Sequence, residues 1–149
     1  MESSSHSPKR RILIVDDDEH IVEAIVNALS EHAAFETHAF TTGQAAREAL
    51  QHTKFDLVVA DWIMPDVDGL TLIRESKRFS EDTVTILITA FGSPELKSLP
   101  EYASVQCCLE KPFSVDDLLS LIASIFPPEP AGAPHPSHVF KVILGGEAN

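Results

Sequence analysis

Residues 12–18 read ILIVDDD: four apolar residues, Ile12 to Val15, run directly into Asp16, Asp17 and Asp18. A short unbroken apolar run bounded by polar residues reads as a strand, and it places three carboxylates just beyond its carboxyl end. Four more strand-like runs follow: Phe35 to Phe40, Leu57 to Ala60, Val84 to Thr89 and Val105 to Leu109. The intervening segments have helical spacing. His20 to His32 puts Ile21, Ile25, Ala28 and Leu29 on one face and Glu23, Asn27 and Glu31 on another. Thr42 to Gln51 and Leu70 to Arg78 read similarly, the second with Leu72 and Ile73 as apolar contacts. A last helix opens at Ser114, an N-cap with Asp117 three residues on, carries Leu118, Leu121, Ile122 and Ile125 as a stripe, and stops before Pro127 and Pro128. Between Ser93 and Ser104, Pro94 suits a helix start and Pro100 cuts it off, so a short or distorted fourth helix is expected. Alternation of strand and helix five times predicts a doubly wound α/β sheet, with five parallel strands and helices on both faces. Ligands of such a sheet bind outside the carboxyl ends of the strands.

With 149 residues, 44% of them hydrophobic, the chain suffices for one core burying roughly two thirds of its unfolded surface, and not for two. The expected plan is a disordered N-terminus over residues 1–10, a folded domain over 11–126, a proline-rich linker over 127–138 and a tail over 139–149, read first as disordered or as an extra edge strand, with the start of a further domain as the alternative. A net charge of −12 with only 11 Lys and Arg argues against a nucleic-acid surface. No apolar stretch approaches the ~20 residues that cross a bilayer, and no apolar h-region follows the basic start, so neither a membrane nor a signal peptide is expected and the protein is read as cytoplasmic. Cys107 and Cys108 are adjacent and have no other cysteine to pair with, which suits a reducing compartment.

Asp16, Asp61, Thr89 and Lys111 each stand at the end of an apolar run. The predicted sheet therefore collects carboxylates, a hydroxyl and an ammonium at one edge, which points to phosphoryl chemistry on an aspartate. A carboxylate is a weak nucleophile, but phosphoryl transfer asks little of it beyond in-line position and neutralised phosphate oxygens. Magnesium takes oxygen ligands and commonly one or two carboxylates, so Asp17 and Asp61 suit it as ligands, with Asp16 holding a water. Crowded carboxylates repel and raise a pKa unless a cation relieves them, so the acidic run implies a cation.

VDDDEH (15–20), DLVVADWIMPDVDG (56–69), ILITAF (86–91) and LEKPF (109–113) together resemble the receiver domain of two-component response regulators. The resemblance covers about residues 10–126, and its strength lies in four motifs occurring in order at compatible spacing. It implies a flavodoxin-like sheet of order 2-1-3-4-5 and makes Asp61 the phosphoacceptor, with Asp16 and Asp17 as the acidic pair. Asp17, Asp61 and the backbone carbonyl of Ile63 would ligate Mg2+, Thr89 would hydrogen-bond the phosphoryl group and Lys111 would pair with it. The donor would be a histidine kinase or phosphotransfer protein, and the output an unknown downstream protein or attached effector. The chain would not be an enzyme beyond its own phosphorylation and autodephosphorylation. Family members commonly carry an aromatic three residues before the lysine, where this chain has Cys108, and coupling through such a ring is not expected. Ile63 and Phe91 are apolar where some relatives place groups that position hydrolytic water, which predicts a long-lived phosphorylated state.

Other aspartates have plainer readings. Asp18, Asp66 and Asp68 read as solvated loop or cap residues, and Gly69 as a residue allowing a turn. Two rival functions compete. A phosphatase resembling the haloacid dehalogenase superfamily would use Asp16 as nucleophile in its DxD, but leaves DWIMPDVDG unexplained. A pseudo-receiver that binds partners without phosphorylation is opposed by Asp61, Thr89 and Lys111 being present together.

Overall fold

The apolar runs become strands because each finds parallel partners. In the computed structural model, which describes residues 9–90 and 94–127, these are β1 (Arg10–Val15), β2 (Phe35–Phe40), β3 (Leu57–Asp61), β4 (Val84–Thr89) and β5 (Cys107–Glu110). They form one sheet in the order β2-β1-β3-β4-β5, every pairing parallel, which is the flavodoxin-like order expected. The helices are α1 (Glu19–Leu29), α2 (Gly43–His52), α3 (Gly69–Phe79), a four-residue α4 (Pro94–Lys97) and α5 (Val115–Ile125), with a 3₁₀ helix at Pro100–Ser104. Contacts divide the chain after Lys111: the sheet and α1 to α4 form one unit, and residues from Pro112 onward, with α5, form a second.

In the first unit the period-2 alternation of the central strands sorts the core. Leu13, Val15, Val58, Ala60 and Leu87 join Ala46 and Leu50 of α2, Leu70, Leu72 and Ile73 of α3 and Leu96 of α4 in one buried cluster. Ile12, Ile14, Val59, Ile86 and Ile88 are equally buried and point the other way, where Val22, Ile25 and Leu29 of α1 are also buried. Arg47 on α2 makes a two-pronged ion pair with Glu75 on α3, at 3.0 and 2.7 Å, locking those neighbours together.

Several boundaries differ from the sequence expectation. β1 begins two residues early because Arg10 and Arg11 pair with Phe35 and Glu36 through the backbone, which needs no apolar side chain. β5 begins at Cys107, since Val105 caps the 3₁₀ helix. The stripe of α1 uses Val22 in place of Ile21, which is half-buried, and the helix ends at Leu29. The short α4 is as expected. In the second unit Ser114 and Asp117 form a reciprocal capping box at the start of α5, and Leu118 and Ile122 are buried. The expectations for residues 1–8, Phe91, residues 128–138 and the tail 139–149 lie outside the described residues.

Candidate functional site

Asp16 and Asp17 follow β1, Asp61 ends β3, Thr89 ends β4 and Lys111 follows β5. Parallel register at the carboxyl edge brings them together: Val15 pairs with Ala60, Asp61 with Ile88 and Thr89 with Glu110. Lys111 N–H then donates to the Thr89 carbonyl at 2.8 Å, so the lysine leaves the sheet beside the threonine. Carboxylate oxygens of Asp16, Asp17 and Asp61 lie within 4.8 Å of one another. The Lys111 ammonium stands 3.2 Å from Asp16 Oδ2 and 3.4 Å from Asp61 Oδ2. Asp16 is fully buried; its Oδ1 accepts from Asp18 N–H at 2.9 Å, while its Oδ2 accepts no aligned hydrogen bond.

Asp16 and Asp61 thus share one ammonium, with the Asp17 carboxylate close by, and Asp61 registers the imbalance. Burial, then the charge of Asp16, push its pKa up to about 7, against the opposing pull of Lys111. For Lys111 burial alone would depress the pKa, but the two carboxylates outweigh it and hold the ammonium more firmly protonated than a free lysine. A buried carboxylate oxygen without an aligned hydrogen bond, three carboxylates near one ammonium and an all-oxygen donor set fit a hard divalent cation.

Of the residues singled out in the sequence, Asp16, Asp17, Asp61 and Lys111 converge on one point, and Thr89 is buried at the end of the adjoining strand. The Ile63 side chain is 65% exposed in the loop just after Asp61. That loop is tightly held: Trp62 N–H donates to the Ile88 carbonyl at 2.8 Å and Gly69 N–H to the Trp62 carbonyl at 2.9 Å. Gly69 is required for closeness rather than for a turn, because a Cβ there would collide with the Asp61 carbonyl. Asp18, Asp66 and Asp68 do more than face solvent. Asp18 caps α1 through His20 N–H, Asp68 caps α3 through Thr71 N–H, and Asp66 accepts from Gly43 and Gln44 N–H at the start of α2. Cys108, three residues before Lys111, is exposed on β5.

The profile of the response regulator receiver domain matches residues 12–123 of the chain. The response regulator receiver protein CpdR of Brucella abortus is 33% identical over 113 residues, which cover 76% of this chain and 93% of that protein. Against other curated relatives the chain spans about half or less of their length. Among solved structures, a CheY-like response regulator receiver domain protein from Methanospirillum hungatei superimposes with a TM-score of 0.72 at 26% identity, covering 78% of this chain and 93% of that one. The response regulator TrrA of Thermotoga maritima, solved in complex with Mg(2+)-BeF, gives a TM-score of 0.67 at 28% identity, covering 78% and 98%.

Proposed function

The chain belongs to the response regulator receiver domain family, and on that premise we propose that Asp61 is the residue at which this phosphoacceptor module takes up its phosphoryl group. The observation that carries the assignment is the sharing of one ammonium by Asp16 and Asp61 inside a cluster of three carboxylates. Asp17, Asp61 and the carbonyl of Ile63 would ligate the metal, with Asp16 holding one of its waters. Magnesium, the ion present in the TrrA complex, neutralises phosphoryl oxygens when bound. The donor is a phosphohistidine of a kinase or phosphotransfer protein.

An Asp61 carboxylate oxygen attacks phosphorus in line; the new P–O bond forms as the P–N bond breaks, and the donor imidazole keeps the electron pair and takes a proton from solvent. Lys111, already 3.4 Å from Asp61, then pairs with a phosphoryl oxygen, and the Thr89 hydroxyl donates to another. Both contacts are made only when the phosphoryl group is present, which is how its arrival becomes a conformational signal. Exposed Ile63 offers no polar group to position a water, so hydrolysis of the acyl phosphate by this domain is slow. The signal passes to a downstream protein or attached effector in the cytoplasm, and phosphoryl uptake and loss are the domain's only reactions. No helix among the described residues is long and apolar enough to cross a membrane.

Intact-mass spectrometry after incubation with magnesium and acetyl phosphate tests the assignment. The expected result is a single magnesium-dependent phosphoryl adduct on the unmodified chain that is absent from Asp61→Asn. Retention by Asp61→Asn with loss in Asp16→Asn would transfer the nucleophile to Asp16, and no adduct on folded protein would remove the phosphoacceptor reading.

A further inference from the structure

We propose that Asp66 is a positioning residue for the acceptor site, tying the loop after Asp61 to the first turn of α2; this rests on the assignment of Asp61 and Ile63 above. The first N–H groups of a helix have no partner within it and form the positive end of its dipole. In α2 one of these donors, Ala45 N–H, is satisfied locally by the Thr42 hydroxyl at 3.2 Å. The other two are satisfied from another element: Gly43 N–H donates to Asp66 Oδ1 at 3.1 Å and Gln44 N–H to Asp66 Oδ2 at 2.9 Å, across 23 and 22 residues.

Both oxygens of an exposed side chain are thereby engaged by two fixed backbone donors, which leaves the carboxylate no rotational freedom without breaking a bond. The Gln44 amide, then that of Val67, with a smaller share from Gly43, hold its pKa below the usual carboxylate range, so it is ionised at neutral pH. Gly43 is what permits the approach, since a Cβ there would stand 2.5 Å from the Val67 carbonyl. The anchor is itself firm, because the Arg47–Glu75 pair holds α2 to α3. The ends of the same loop are pinned by Trp62 N–H to Ile88 and Gly69 N–H to Trp62. In its middle, Met64 is buried in the core and Val67 packs against it, and Asp66, three residues beyond Ile63, whose carbonyl is the backbone metal ligand proposed, adds the polar restraint. Releasing it lets that carbonyl drift while the sheet and the Asp61 Cα stay in place.

Three variants separate positioning from simple helix capping. Thr42→Ala removes a cap from the same helix end without freeing the loop, Asp66→Ala frees the loop, and Asp66→Asn keeps one acceptor oxygen. Magnesium titration followed by the fluorescence of Trp62, the chain's single tryptophan, should show affinity weakened about tenfold in Asp66→Ala, within the range for outer partners of metal ligands. Asp66→Asn should fall between, and Thr42→Ala within twofold of the parent. Amide exchange over residues 62–69, read without metal, should rise in Asp66→Ala and not in Thr42→Ala. The same metal affinity and loop exchange in Asp66→Ala and Thr42→Ala would overturn the proposal. If Asp66→Ala does not fold, Asp66→Asn against Thr42→Ala decides by the same criterion. Absence of a phosphoryl adduct on the parent would refute Asp61 as acceptor, while the exchange comparison would still decide the role of Asp66.

Discussion

Asp61 is buried beside Asp16 with, among the described residues, only Lys111 to balance both, and this single side chain carries a stability penalty that pH can reveal. Its folded pKa, about 7, lies above the ordinary 3.8, so between those values the folded state holds a proton that the unfolded state has released. Stability therefore falls as pH rises from about 4 to about 7 and levels off above. Asp61→Asn abolishes that slope. At pH 8 it should be more stable than the parent by about 2 kcal/mol, below the full value of the shift because the neighbouring ammonium relaxes around the change. Urea titrations across this range measure it, and equal slopes for the two proteins would contradict the buried-charge account. Lys111→Ala acts in the opposite sense: it strips the counter-charge from Asp16 and Asp61, moves the Asp61 titration to still higher pH, and should slow adduct formation with acetyl phosphate at least tenfold. Asp16, Asp17, Asp61 and Lys111 were legible in the sequence because each ends an apolar run, and parallel register turns that into proximity. Asp66 was not legible as more than a loop aspartate. Its partners, Gly43 and Gln44, lie 23 and 22 residues away, and no local pattern encodes a cap supplied from another element.

Helix and strand limits were legible where side chains decide them and obscure where the backbone does. β2 and β4 have the bounds that their strand-like runs suggest. Arg10 and Arg11 joined β1 through ladder bonds alone, and Val105 was drawn out of β5 by the 3₁₀ helix before it. Phase errors have a similar origin. Ile21 and Val22 are both apolar, and only packing selects which faces the core; it selects Val22. The cap read from the sequence, Ser114 with Asp117, was a dependable local signal because the pattern is chemically specific over three residues, whereas the caps at Asp18 and Asp68 lacked that second residue. In α5 both halves of the box form: Asp117 N–H donates to the Ser114 hydroxyl at 3.0 Å, and Ser114 N–H to the Asp117 carboxylate at 3.2 Å. Ser114→Ala removes the hydroxyl acceptor, so it should destabilise by about 1 kcal/mol and lower Tm by about 3–5 °C. Magnesium affinity should stay unchanged. Thermal unfolding with and without magnesium tests both parts, and an altered metal response would tie α5 to the site.

Across the whole molecule the charge of −12 is unfavourable for a compact state, and the fold aggravates it by gathering three carboxylates within 4.8 Å at one edge of the sheet. A fold selected for stability alone would not bury Asp16 and Asp61 beside each other with one ammonium shared between them. The arrangement makes sense as a site that is incomplete until a cation and a phosphoryl group enter. Binding that is confined to the folded state stabilises it by mass action, about 2.7 kcal/mol at a free concentration one hundred times Kd. Saturating magnesium should accordingly raise Tm by about 8 °C. A chelator should reverse the gain, and Asp17→Asn should lose most of it, while a monovalent salt at matched ionic strength should give far less because it only screens. The gain should also grow from pH 6 to pH 8, because the metal competes with the proton held by Asp61 near pH 7. A Tm that magnesium leaves unmoved at pH 8 would mean that the cluster holds no cation. The acidic edge would then be a destabilising feature without a ligand to relieve it, and phosphorylation of Asp61 would have to proceed on Lys111 alone.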